Sequence, residues 1–450
     1  MVGVTRDGWR LLRGLDKALF LVALLGVAFG FGVAVGQYKF FPYEVVRNAA
    51  DAARDLKHHW RSYLHEEPTK YLRAARFAGA GVTVNLPGRV QPGLTFMTGF
   101  FDNKVTLELI DLNGSVIHRW IPDFDRIWQE AAAYDLPKDG EYPFNEWDVL
   151  IQGADVLEDG SVLFNYSDTL LVKLDKCGAI EWLQPYRTHH SVFRSGDGTF
   201  WLPRQHYVEN GEKAPPRIAP PYLREAALQI SPSGKILRNI PLVKLLIDNK
   251  MEGLLFPNGM NEVVNPDNDF THLNDVEVLQ PAYADSFPLF EAGDVLISMR
   301  NLNLLFVFNP DTMKVKWHQT GPWLRQHDPD FLPDGTIVLF NNRRDHTRDG
   351  TLFGGSDIMV VDPNTGETRV VYEGTKERPF YSDEMGMVQH LPNGNFLVTE
   401  AKGGRAFEID SNGQIVWEYM NRYDEKRIAQ IEQASRLPNG FFSVKDWTCE

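Results

Sequence analysis

The sequence predicts an all-β protein, a six-bladed β-propeller, preceded by an N-terminal transmembrane helix and a short helical stalk. Two observations lead there. From about residue 84 onward, short apolar strands alternate with Asn-Gly, Asp-Gly and Pro-Asn-Gly turns, and no long helical periodicity remains. Those strands also repeat. The stretches EDGSVLFNYSDTLLVKLDKCGAIEW (158–182), EAGDVLISMRNLNLLFVFNPDTMKVKW (291–317) and PNGNFLVTEAKGGRAFEIDSNGQIVWEY (392–419) share one order. Each runs from a turn through an apolar strand, a polar break, a second strand, another tight turn, and a strand closing on Trp. Repeats of several strands at this period are blades of a propeller. Variants at 112–120, 197–237 and 333–371 bring the count to six. A last lone strand, PNGFFSVKDW (438–447), is expected to complete the first blade, whose outer strands come from near residues 95–120. A stack of separate sandwiches would not end on an orphan strand matching the repeat.

Taken in order, residues 1–17 form a basic N-terminus carrying Arg6, Arg10, Arg13 and Lys17. ALFLVALLGVAFGFGVAVG follows, from 18 to 36, nineteen residues without a charge. As a helix it spans about 28 Å, close to the hydrocarbon thickness of a bilayer. The basic flank sets the N-terminus in the cytoplasm. The anchor, 18–37, then crosses the inner membrane once and leaves the rest of the chain in the periplasm or outside. The alternative is a cleaved signal peptide ending near Ala34-Val-Gly36, although the apolar run is longer than the roughly 7–15 residues of a signal core. Gly26 and Gly30, then Gly32 and Gly36, stand at GxxxG spacing, which permits helix pairing and hence a homodimer. Residues 43–79, rich in Ala, Leu, Arg and Lys, read as one or two helices broken near Glu67-Pro68, so that 38–83 form a stalk. The propeller takes 84–450.

Composition limits the function. A chain that is 43% apolar and 12% aromatic has material for a large core. A net charge of −14 lacks the basic footprint of a nucleic-acid binder. Cys177 and Cys449 are too few for a zinc site or a disulfide scaffold, though an oxidising compartment would permit them to pair.

The repeat gives meaning to scattered histidines. Inner strands of a propeller crowd its axis, so residues at one register face each other. His327 lies eight residues before the glycine of its Pro-Asp-Gly turn, and the same count selects Gln152, His190, Gly386 and Glu432. An insertion spoils the count in blade four, where His272 has the same relation to the apolar strand that follows. In the third blade the glycine count selects His190 and the apolar register selects His189. Seven residues after the turn glycines stands a second ring: Ser167, Gln205, Arg300, Asn342, Ala401 and Trp447. His318, His346 and His390 fall off both rings and read as structural or solvated.

Any one of these histidines alone is more often an ordinary turn or core residue. Three neighbouring blades each aiming one at the axis, beside Arg300, is a different matter. Three His ligands and a water make a known zinc arrangement, but a guanidinium beside them would repel the cation. Arginine offers planar paired donors to a tetrahedral oxyanion. A neutral imidazole can attack, and nearby cations lower its pKa and keep it neutral.

These same stretches carry a family likeness. HH at 189–190, HLNDVEVL at 272–279, ISMRNLN at 297–303, RQHDPDFLPDG at 325–335 and LPNGNFLVTEAKGGRAFEIDSNGQIVWEY at 391–419 resemble, in order and context, the bacterial aryl sulfate sulfotransferases. The resemblance covers most of the propeller, from about residue 95 to the end. It implies PAPS-independent transfer of a sulfuryl group from an aryl sulfate ester to a phenol through a sulfohistidine, with no cofactor and no metal. Carried over residue by residue, it makes His327 the nucleophile, His272 and Arg300 holders of the sulfuryl oxygens, and His189 or His190 the third basic group. Asn274, Asn342, Gln205 and Arg343, at or beside these registers, become candidate substrate contacts. The chain departs from the family in three respects. An anchor and stalk replace an added β-sandwich, the insertion between the arginine and nucleophile segments is short, and the cysteine pair found in that insertion is missing. The shorter insertion bears on the acceptor more than on the chemistry.

Two other classes compete. A membrane-anchored propeller that only binds a protein or glycan has no reason to gather His-His-His-Arg on its axis, and fold alone does not fix function. A quinone-cofactor dehydrogenase is suggested by Trp182, Trp317 and Trp417 at strand ends. No carboxylate cluster of the calcium type accompanies them, and such tryptophans are expected to lock adjacent blades.

Overall fold

Strand pairing in the computed structural model produces five four-stranded antiparallel sheets, one five-stranded sheet and one short two-stranded ribbon. The structure describes residues 6–38, 40–134, 136, 143, 145–209, 212–215, 217–218, 220–256 and 269–449. Two compact units divide the chain, Met1–Thr69 and Lys70–Glu450.

The first unit holds two helices, Arg6–Tyr38 and Tyr43–Tyr63. Lys17–Tyr38 is long and apolar enough to cross a membrane, and the large apolar side chains from Leu19 to Val33 are exposed. The expected stalk is helical only as far as Tyr63. Beyond the Glu67-Pro68 break, Leu72–Ala74 pairs with Arg427–Ala429 and Gly81–Asn85 pairs with Ile415–Met420. Helix-favouring composition in 70–79 is a weak preference, and long-range strand pairing overrides it.

In the second unit each sheet is one blade. Blade 2 runs Ile151–Val156, Val162–Tyr166, Leu170–Leu174, Ile180–Gln184; blade 3 runs Phe193–Arg194, Phe200–Val208, Tyr222–Ile230, Ile236–Pro241. Blade 4 comprises Leu273–Val278, Val295–Met299, Leu304–Asn309 and Lys314–Thr320. Blade 5 comprises His327–Phe331, Ile337–Asn341, Asp357–Val361 and Thr368–Glu373. Blade 6 comprises Met387–His390, Phe396–Glu400, Arg405–Ile409 and Ile415–Met420, with Gly81–Asn85 added on its outer edge. Blade 1 is built from both ends of the unit: Leu94–Phe101, Lys104–Ile110 and Val116–Trp120 are joined by the closing strand Ile431–Leu437.

That closing strand corrects the sequence reading. It lies before the Pro-Asn-Gly turn, whereas 438–447 forms no strand. In every other blade the innermost strand also precedes the turn and the next strand follows it. In blade 1 Leu94–Phe101 takes the place of that next strand, Leu437 facing Leu94. The tail instead lays Phe442 and Trp447 on each other and Trp447 on Trp120, at ring distances of 4.9 and 5.8 Å. Trp447 therefore leaves the second axial ring. Cys449 reaches back to Cys177, and the two form a disulfide with Cα atoms 5.5 Å apart.

Of the strand-ending tryptophans, Trp120, Trp182 and Trp417 join neighbouring blades. Trp120 Nε1 donates to Gly160 O at 3.0 Å and Trp417 Nε1 to Leu112 O at 3.0 Å, blade 1 to blade 2 and blade 6 to blade 1. The Trp182 ring lies against Gly234, where an added Cβ would stand 3.1 Å from it. Between the sheets the facing strands fill continuous apolar cores, including Phe164, Phe306, Phe308, Phe340 and Phe407, all buried.

Candidate active site

At the axis, Gln152, His190, Asn274, His327, Gly386 and Glu432 surround a pocket of about 40 Å³. Each of the six blades supplies one of them. The count from the turn glycine finds all but the residue of blade 4, which is Asn274. Strand register gives the reason: Glu277 faces Leu296 as Asp330 faces Val338, so Asn274 is the counterpart of His327 and His272 precedes it by two residues. A second cavity of about 640 Å³ shares Gln152, His190 and Met385 with the small pocket. His189, His272, Arg300 and Gln205 border it as well. Both adjacent histidines thus face the larger cavity, and His190 reaches the inner pocket too.

His327 opens the inner strand of blade 5 and is 4% exposed. Its Nδ1 stands 2.6 Å from Asn342 Oδ1. The amide nitrogen of Asn342 donates to Ser382 O at 2.9 Å and Met385 O at 2.6 Å, which turns the amide oxygen toward the imidazole. Nδ1 must therefore carry the proton, and Nε2 the lone pair. Nε2 is buried and makes no hydrogen bond among the described residues. Burial first, then the Arg300 charge, lowers the His327 pKa to about 3 against the pull of the Asn342 hydrogen bond. The imidazole is neutral at pH 7.

The neighbours of His327 are held by backbone. Buried Gln326 donates to Ser298 Oγ at 3.0 Å, while its carbonyl accepts from Asn274 Nδ2 at 2.6 Å. The Asp328 carboxylate accepts from Val388 N at 2.6 Å, tying blade 5 to blade 6. His190 N donates to Gln152 Oε1 at 2.9 Å, and its carbonyl accepts from Asn165 Nδ2 at 3.0 Å. Gly153 allows that carbonyl in: a Cβ there would stand 1.8 Å from His190 O. His190, His272, Asp328 and Met385 all adopt left-handed backbone, with φ of 53°, 49°, 51° and 60°. Such conformations cost about 1–3 kcal/mol each and gather at functional sites.

Arg300 follows the second strand of blade 4 in a 3-10 turn, and its backbone N donates to His272 O at 2.9 Å. That bond fixes the guanidinium beside the histidines. Among the described residues it is hydrogen-bonded through Nε alone, to Asn301 Oδ1 at 3.4 Å. Burial, then nearby Arg325, lowers its pKa to about 10, so it remains cationic at neutral pH.

The remaining imidazoles form a chain. His272 Nδ1 bonds the Asp269 carboxylate, and its Nε2 lies 3.3 Å from Nε2 of His190. His190 Nδ1 lies 2.8 Å from Nδ1 of His189, whose own Nε2 is buried without a partner. Burial lowers His189 to about 4, with His272 and Arg187 adding and Asp168 and Asp269 opposing. Burial and the charges of His272, His189, His327 and Arg300 put His190 well below its ordinary value. For His272, burial outweighs the raising effect of Asp269.

The other expected contacts divide. Gln205 borders the larger cavity and donates to Asp168 Oδ1 at 2.5 Å, and Ser167 Oγ donates to Gln152 Oε1 at 2.8 Å. Asn342 lies behind His327 as its orienting partner. Arg343 turns to Asp357, 3.4 Å away, and is not among the residues lining either cavity. Sequence reading missed Asp269, Glu225, Glu384 and Met385, all of which border the larger cavity. Asp269 had a signal, a carboxylate three residues before a chosen histidine. Glu225 lies in the third strand of blade 3, and Glu384 and Met385 directly precede the ring residue Gly386, so all three fall outside the two registers counted. Among the described residues no group of three or more His, Cys, Asp and Glu side chains has the geometry to hold a metal.

Comparison with known proteins adds a family. A model described as "Arylsulfotransferase (ASST)" matches residues 153–422. No curated protein matches the chain by sequence. Among solved structures, a protein of unknown function from Bacteroides caccae is 12% identical with a TM-score of 0.43, over 73% of this chain and 93% of that one. TolB from Acinetobacter baumannii is 12% identical with a TM-score of 0.43, over 79% and 68%. A streptogramin B lyase structure is 13% identical with a TM-score of 0.40, over 79% and 88%. Likenesses at this level carry no argument about function.

Proposed function

The chain belongs to the arylsulfotransferase family, and from that premise we propose that it moves a sulfuryl group from an aryl sulfate to a phenolic acceptor through a sulfohistidine at His327. The family supports aryl sulfotransfer in general. The observation that carries the finer reading is the Asn342–His327 bond, which leaves a buried, unpartnered Nε2 with its lone pair beside Arg300.

In the first half-reaction His327 Nε2 attacks sulfur, and the S–O bond to the aryl group breaks. The transferring group carries negative charge on its oxygens throughout. Fixed donors and cations stabilise such charge as it spreads in the transition state, as in phosphoryl transfer. Arg300 and, through its charge when protonated, His272 are the residues assigned to it, and Asn274 lines the inner pocket. The second phenol then takes the group from nitrogen, which gives ping-pong kinetics. The inner pocket suits the small sulfuryl group, and the larger cavity, with Gln205 on its wall, suits the aromatic body.

The apolar helix at 17–38 supports a single-pass anchor in the inner membrane, with the propeller outside the cytoplasm. The test is incubation of the purified protein with an aryl sulfate and a free phenol. Transfer to the phenol, with a sulfated His327 peptide found by mass spectrometry, is the expected result. Hydrolysis without transfer, or transfer surviving His327→Ala, overturns the reading.

A further inference from the structure

Resting on that reading, we propose that Asp269, His272, His190 and His189 form one directional proton relay, which takes the proton of the accepting phenol and returns it to the departing phenolate. Three close approaches in series carry this: Asp269 Oδ2 to His272 Nδ1, His272 Nε2 to His190 Nε2 at 3.3 Å, and His190 Nδ1 to His189 Nδ1 at 2.8 Å. The series ends on His189 Nε2, buried, unpartnered and at the cavity wall.

The direction follows from one end. A carboxylate accepts and does not donate, so His272 holds its proton on Nδ1 and presents a lone pair at Nε2. His190 must then donate from Nε2, which leaves its Nδ1 an acceptor. His189 in turn donates from Nδ1, and its Nε2 is left with a lone pair. Every hydrogen bond in the chain is satisfied by this assignment, and the open end is a base. Burial works to raise Asp269, yet the His272 bond and charge, with Arg300 and His189, hold its carboxyl below the ordinary value, so it stays ionised.

The proton balance closes over the cycle. When an acceptor phenol forms its O–S bond, the N–S bond to His327 breaks and Nε2 regains its electron pair. The phenol's proton goes to His189 Nε2. The Nδ1 proton of His189 moves to His190, and the Nε2 proton of His190 moves to His272. His189 and His190 change tautomer, and His272 becomes the imidazolium, its positive charge resting against Asp269. With the next donor the S–O bond breaks, its electron pair stays on the aryl oxygen, and the series runs backward to protonate that oxygen. Asp269 is a positioning residue here: it touches no reacting atom but sets the polarity and balances the charge.

The test compares wild type with Asp269→Asn in single-turnover sulfation by aryl sulfates of graded leaving-phenol acidity. Phenolates that are stable without a proton need no relay. With nitrophenyl-type donors the variant should lose least. With alkylphenyl-type donors it should fall about 100-fold, the lower end of general acid–base contributions. An equal fall for every donor, or none for any, overturns the relay. Nitrogen-15 spectra of the histidines give a readout independent of turnover. In the sulfated enzyme, before an acceptor binds, His272 should be protonated at Nδ1 alone and His190 at Nε2, an order lost in the variant, and a His272 protonated at Nε2 alone overturns the proposal. If wild type transfers no sulfuryl group from any aryl sulfate, the proposed function fails and the relay with it. Transfer with an unchanged donor dependence sinks the relay alone.

Discussion

Asn342 Oδ1 lies 2.6 Å from Nδ1 of His327, and the same amide gives its N–H bonds to the backbone of Ser382 and Met385. One side chain therefore anchors the loop before blade 6 and chooses the tautomer of the proposed nucleophile. Asn342→Ala removes both. Holding a catalytic histidine in the wrong tautomer costs up to about 10⁴-fold elsewhere, so sulfohistidine formation should slow by about 100-fold or more. Met385 O left without its donor, and Ser382 O left with Ser356 Oγ alone at 3.3 Å, should cost about 1–3 kcal/mol of stability. Single-turnover rates and denaturant unfolding measure the two effects separately, and a variant that loses stability at full rate would deny Asn342 its orienting role.

The His327 environment predicts an unusual pH profile. Burial and Arg300 lower the pKa from 6.5 to about 3, so the attacking neutral form persists as pH falls. With a nitrophenyl-type donor, whose leaving group needs no proton, sulfohistidine formation should be level between pH 6.5 and about 4.5 and fall only below that. An ordinary imidazole would already be half protonated at 6.5. Asp328 and Glu432, which border the same pocket, are held up to about 7 by burial. They carry their protons through most of the window and begin to ionise only toward its upper edge. Rapid-quench mass spectrometry across this range decides the matter.

The propeller and most of the axial ring were legible in the sequence because both depend on register. A turn glycine fixes the start of each strand pair, and a fixed count then reaches the axis at Gln152, His190, His327, Gly386 and Glu432. The count failed where register is interrupted. In blade 4 the 279–293 insertion separates the turn from the inner strand, so Asn274 was replaced by His272 at the ring position. At the ring's closure the chain supplies blade 1 from both ends, and a rule based on local order put the last strand after its turn. Arg343 follows a ring residue in sequence, but a strand end does not fix where the next side chain points, and Asp357 captures it. Asp269 acts through a neighbour rather than through a register, which no repeat can reveal.

Gly153 gives a test of positioning. A Cβ placed there would meet His190 O at 1.8 Å, and two hydrogen bonds, from Asn165 Nδ2 and to Gln152 Oε1, hold His190 against it. Gly153→Ala must push His190 out or break those bonds. Blade 2 has a buried core to absorb the cost, so the protein should fold, destabilised by about 1–3 kcal/mol as for other overpacked sites. Transfer should fall sharply because His190 stands between the two cavities. Full activity in the folded variant would mean that the placing of His190 does not matter.

The Cys177–Cys449 disulfide predicts a stability effect without a catalytic one. Ile431–Leu437 closes the circle of blades by strand pairing alone, and the twelve residues after it hold that closure in place. Ser443 N donates to Glu158 O at 2.8 Å, Lys176 Nζ donates to Asp446 O and Thr448 O at 3.1 and 2.8 Å, and the disulfide fastens the end to the outer hairpin of blade 2. The cross-link spans 272 residues, so the loop it closes contains all of blades 3 to 6. Cross-links of long loops restrict the unfolded chain most, and removing one costs about 2–4 kcal/mol. Cys449→Ser should therefore unfold at lower denaturant by that amount. Its sulfuryl transfer in native buffer should be unchanged, because Cys177 lies in the turn between the two outer strands of blade 2, remote from the axis. A Cys449→Ser protein as stable as wild type would show that strand pairing closes the ring unaided. One that folds but transfers poorly would show that the tail acts on the site.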